Sequence, residues 1–78
     1  MQLEVTSPRD AFVIRCQAWA YANVLQGKYS KAQALFDERL AAFDHMAESN
    51  PTDSMGYWSN HYFTSFVDAC QRRQLDVL

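Results

Sequence analysis

The chain has 78 residues, 49% of them apolar and 14% aromatic, which suits one small folded domain spanning 1–78 and excludes a disordered polymer. A formal charge of −2 and a pI near 5.5 demand neither a polyanion nor a polycation as partner. Two glycines and two prolines supply too few sharp turns for a many-stranded β fold.

Residues 1–6 form a short lead in which Leu3 and Val5 alternate with polar residues, so a single edge strand or an extended arm is expected. The stretch SPRD then opens a helix. Ser7 can cap it, Pro8 suits its first position, and Asp10 complements the positive end of the helix dipole. This first helix is expected over about 8–25. Gly27 is expected to end it in the left-handed conformation, and Ser30 with Gln33 has capping-box spacing for a second helix over about 31–48. Pro51 stops that helix, and Asp53 or Ser54 can cap a third over about 54–74, with Arg72 and Arg73 in its last turn. The tail LDVL either docks or frays. Short connections predict antiparallel neighbours in an all-α, compact three-helix bundle with the first helix central.

Placed at 100° per residue, the second and third helices each divide cleanly. Leu35, Phe36, Leu40, Phe43, Met46 and Ala47 share one side of the second, opposite Gln33, Asp37, Asp44 and Glu48. Met55, Tyr62, Phe63, Phe66 and Cys70 line one side of the third, opposite Asn60, His61, Thr64, Asp68, Gln71 and Arg72. The first helix, AFVIRCQAWAYANVL, is apolar almost all round. Ala11, Ile14, Ala18, Tyr21, Ala22 and Leu25 form one stripe, whose alanines would admit a close neighbour. Phe12 and Trp19 form a ridge almost opposite, flanked by Arg15 and Asn23, and Val13, Ala20 and Val24 form a third line. Two readings follow. Either the lead and tail close the remaining side, or the Phe12–Trp19 ridge stays partly open and meets another protein, since aromatic and Arg side chains have the composition of interface hot spots.

Other candidate chemistry is thin. His61, Ser65 and Asp68 fall on one face of one helix, which reads as a solvated row, and no catalytic residues are assigned. His45, His61, Cys16 and Cys70 show no metal-ligand spacing, and no glycine-rich phosphate loop is present, so neither metal nor cofactor is expected. Cys16 and Cys70 read as reduced, buried thiols, although one bridge between them is open. Arg39 sits in the second helix's apolar side. It either snorkels or pairs with Asp10 or a carboxylate from another chain. Tyr57 and Trp58 place aromatic rings with polar tips at a boundary, which suits a protein contact.

QGKYSKAQALF resembles the turn and second helix of a tetratricopeptide repeat: Gly27, Tyr29, Ala32 and Phe36 fall in step with that pattern, and Ala20 fits its small position. The pattern breaks at Arg39 and Asp44, and one repeat length of ~34 residues further on His61 stands where the turn glycine belongs. The resemblance therefore implies a helical hairpin and not membership of the family.

The expected function is non-enzymatic: a small protein-binding module acting as an adaptor, inhibitor or regulator, through Phe12, Arg15, Trp19, Asn23, Tyr57 and Trp58, with a homodimer as a close variant. An alternative is a nucleic-acid-associated regulator using Lys28, Lys31, Arg72 and Arg73, although basic residues are few and scattered. A small enzyme or ligand-binding bundle is a third reading. No apolar run reaches the roughly 18 residues of a membrane span, and MQLEVTSPRD lacks the features of a secretory signal. A cytoplasmic location without membrane attachment is expected.

Overall fold

The structure, a computed structural model, describes residues 8–49 and 57–78. Three helices, α1 (Pro8–Asn23), α2 (Tyr29–Ser49) and α3 (Tyr57–Ala69), make an all-α three-helix bundle. The expected lead, the caps Ser7, Asp53 and Ser54, the first residues of the third helix and Met55 lie outside the described residues.

Long-range contacts fix the directions. Arg9 Nε of α1 meets Asp44 Oδ1 of α2 at 3.1 Å, start against end, so α1 and α2 are antiparallel. Phe43 packs edge-on to Tyr62, and Phe36 edge-on to Phe66, so α3 is antiparallel to α2. Arg15 reaches Asn60 and Trp19 reaches Phe66, so α3 runs parallel to α1.

The central helix is α3, not α1: it packs against each of its neighbours more extensively than they pack against each other. The small buried residues Ser59 and Ala69 and the fully buried Phe66 let both approach. The faces of α2 and α3 fall largely as the periodicity predicts. Phe36, Phe43, Phe66 and Cys70 are buried, whereas Asn60, His61, Thr64, Asp68, Gln71 and Arg72 are exposed. Ala47 departs from the pattern and is exposed, while Ala32 is buried.

The first helix presents a different stripe from the alanine-rich one. Phe12, Cys16 and Ala20 face inward, continued by Val24 just past the helix end. The Phe12 ring stacks on Phe36 and Phe43, with centroids 5.9 and 5.2 Å away. Energy decides the direction. Hydrophobic gain scales with area removed from water, and the Phe12 ring is the largest side chain that α1 buries completely.

The C-terminal ends of α1 and α3 correct the expected turn chemistry. The first helix stops at Asn23, with Val24 N–H donating to Ala20 O at 2.9 Å, and Leu25 is extended. Gly27 lies in a short 3-10 turn, Gln26–Lys28, without positive φ. The second helix starts at Tyr29, directly after that turn, so Ser30 is inside it and forms no preceding cap. Gln33 Nε2 instead donates to Asp37 Oδ1 at 2.9 Å. Regular α geometry in the third helix ends at Ala69 and widens into a π turn, Cys70–Gln74. Arg73 takes the left-handed conformation there (φ 73°), the role glycine usually fills where a helix ends.

That turn sends the tail back. Leu75 is buried, Val77 forms an antiparallel bridge with Val24, and Leu78 N–H donates to Asn23 O at 2.7 Å. Lys28 Nζ lies 3.8 Å from Asp76 Oδ2. The carbonyls that a helix end leaves without intrahelical partners are thus partly satisfied. Asn23 O takes the tail amide, and Ala20 O also accepts the Tyr29 hydroxyl at 2.8 Å. This last bond ties the hairpin that the Gly27–Phe36 pattern implied.

Candidate protein-binding surface

The proposed ridge is not an open surface. Phe12 is 0% exposed and stacks on Phe36 and Phe43 of α2. Trp19 is half-buried and stands edge-on to Phe66, 5.9 Å between centroids. Arg15 is exposed but occupied: its guanidinium lies 4.1 Å from the Phe63 ring centre and donates to Asn60 Oδ1 at 3.0 Å. Asn23 Nδ2 donates back to Trp19 O at 2.9 Å. Arg15 and Trp19 thus line the seam between α1 and α3, Asn23 bonds within α1, and Phe12 packs on α2, so Phe12 is corrected from a contact residue to a core residue.

Tyr57 and Trp58 stand where the sequence placed them. Tyr57 is exposed and Trp58 half-buried, with centroids 4.8 Å apart in an edge-to-face pair. His61 and Tyr62 extend this aromatic corner. It lies near the Arg15–Asn60 contact, at the opposite end of the bundle from the docked tail.

The surplus apolar circumference of α1 faces the other way. Ala18, Tyr21, Ala22 and Leu25 are exposed, and Ala11 and Ile14 are half-buried. Tyr21 is 85% exposed, Leu25 40% and Leu78 75%, and with Val24, Gln26 and Tyr29 these three line one shallow depression. The sequence shows this stripe, but which stripe of α1 lies outside is set by the partners that α2 and α3 offer Phe12 and Trp19. Leu78 carried no signal in the sequence, because its place depends on the turn at Arg73.

The polar groups take structural partners. Ser65 Oγ accepts a 2.8 Å bond from Arg39 Nε, and Asp68 Oδ1 accepts one from Arg72 Nε at 3.0 Å. His61 lies among the rings of Tyr57, Trp58 and Tyr62. The Arg39 side chain is largely covered, and Nη1 meets Glu38 Oε1, not Asp10, at 2.9 Å. Of the four basic residues considered for nucleic acid, Lys28 and Arg72 are ion-paired.

Cys16 and Cys70 are free thiols with no exposed surface. Burial pushes the Cys16 thiol up to about 12, against a smaller opposing pull from Arg15. Burial also raises Cys70, with Arg39 opposing. Thiols held this far from ionisation are poor nucleophiles and poor ligands. Among the described residues, no three of His, Cys, Asp and Glu gather as a metal site would require. Likewise, no described helix is long and apolar enough to cross a membrane.

No protein-family model, curated protein or solved structure matches this chain. The surface itself is therefore the ground for any functional reading.

Proposed function

We propose that the protein is a non-enzymatic, protein-binding module of the cytoplasm, acting as an adaptor, inhibitor or regulator through the outward face of α1. The observation that carries this reading is the convergence of Tyr21, Leu25 and Leu78, all well exposed, at the end of an uncharged apolar stripe. The single chain leaves most of Tyr21 and Leu78 and part of Leu25 uncovered. Burying the three against a partner contributes roughly 3–5 kcal/mol before the costs of association. The Tyr57–Trp58 corner is a second, separate contact candidate at the far end.

The test pairs capture with stability. Immobilised wild-type protein and a Tyr21→Glu variant are exposed to the same extract, and both are melted. The reading requires a partner retained by the wild type and lost by the variant, with melting temperatures within about 2 °C, as befits an exposed position. Equal retention by both removes α1's outward face as the binding surface.

A further inference from the structure

We infer that the occupant of α1's outward face is a second copy of this chain, paired antiparallel about a two-fold axis. The inference rests on the protein-binding reading and specifies its partner.

Spacing identifies the kind of occupant. Ala11, Ile14, Ala18 and Tyr21, with Leu25 just past the helix end, recur at steps of three, four, three and four residues. That is the seam spacing by which one helix packs along another, knobs into holes. A loop or extended peptide has no use for a line of this period.

Size and charge identify the partner. A parallel pair of identical helices stacks Tyr21 on Tyr21 and Ala18 on Ala18, which alternates an overfilled layer with an empty one. An antiparallel pair centred between residues 19 and 20 sets Ala18 against Tyr21 of the second copy, and Ile14 against Leu25. Symmetry repeats each layer, so every large side chain meets a smaller or equal one. The seam carries no charge, so its burial strands none. Opposed helix dipoles favour the antiparallel arrangement.

Area sets the strength. Tyr21 at 85% exposure, with the neighbouring alanines, Ile14, Leu25 and Leu78, offers on the order of 500 Å² per copy. The total of ~1,000 Å² falls at the lower edge of specific interfaces, which predicts a dimer dissociating in the micromolar range or weaker. Homodimers with one two-fold axis are the commonest closed assemblies, and such a surface is self-complementary.

Sedimentation equilibrium from ~1 μM to ~1 mM tests this directly. The wild type is expected to pass from monomer to dimer, and Tyr21→Glu to remain monomeric with an unchanged fold; Ala18→Glu provides a second, independent break. A nitroxide on an Arg9→Cys variant reads orientation, because the two native thiols are buried and stay unlabelled. The antiparallel register separates the two labels by about 30 Å, from a rise of about 1.5 Å per residue. A monomer at every concentration, a dimer indifferent to both substitutions, or labels within about 15 Å overturns the inference. If the wild type stays monomeric yet captures a Tyr21-dependent partner, self-pairing fails while protein binding stands. A Tyr21-dependent dimer that captures nothing else supports self-pairing as the use of this face.

Discussion

Replacing Phe12 by Ala separates a core residue from a contact residue. The ring is 0% exposed and stacked on Phe36 and Phe43, so truncation loses its transfer energy and leaves a gap that three helices cannot fully close. The expected cost is about 3–5 kcal/mol. A domain of this length holds only about 4–12 kcal/mol in total, at ~0.05–0.15 kcal/mol per residue. The melting temperature should therefore fall by at least about 12 °C, at roughly 4–8 °C per kcal/mol for a domain of this size. Circular dichroism at 222 nm during thermal and urea unfolding measures it. Tyr21→Ala is the control and should cost under ~0.5 kcal/mol, since its side chain is exposed. A loss below ~1 kcal/mol for Phe12→Ala, or an equal loss for both, would refute the assignment of the inward face.

Gly27→Ala should stabilise by about 0.4–1 kcal/mol in urea melts, because Gly27 has no positive φ and an added Cβ meets nothing within 4 Å. Arg73→Gly should raise stability by about 0.5–1 kcal/mol by relieving the left-handed backbone at φ 73°, and a loss would mean that its side chain contributes more than that strain costs. Alkaline pH should destabilise the fold through Cys16. The thiol's folded value is raised to about 12 from an ordinary 9.0, so its stabilising contribution is complete below about 9. Above that, the unfolded state loses the proton first, and stability falls by about 1.4 kcal/mol per pH unit until the folded thiol ionises. A Cys16→Ala variant should show a shallower decline between pH 9 and 11; identical slopes would exclude the thiol as the cause.

How far the sequence could be read depended on contrast. Leu35, Phe36 and Phe43 face Asp37 and Glu48 across α2, and Phe66 faces Asn60, Thr64 and Asp68 across α3, so periodicity alone points both helices. In α1 large apolar side chains stand on both stripes, Phe12 and Trp19 on one and Ile14, Tyr21 and Leu25 on the other. Periodicity finds both stripes and cannot rank them. The ranking comes from α3, whose Phe63 and Phe66 give Trp19 and Arg15 their partners. The ends were less legible for a related reason. Gly27 has the chemistry of a left-handed stop, but α1 ends earlier, at a carbonyl that Leu78 satisfies from 55 positions further along the chain. Tyr57 and Trp58 were readable because their position concerns one helix only.

Which side of α1 faces water is the claim on which the binding surface and the dimer both depend. Native-state alkylation, read by mass spectrometry at dilute protein concentration, compares the wild type with an Ala18→Cys variant. Cys16 and Ala18 are two residues apart on the same helix, the first buried and the second exposed. The wild type should remain unmodified while folded, and the variant should take up one label at the rate of a free thiol. A protected position 18 in the monomer, or Cys16 reacting as quickly, would contradict the account.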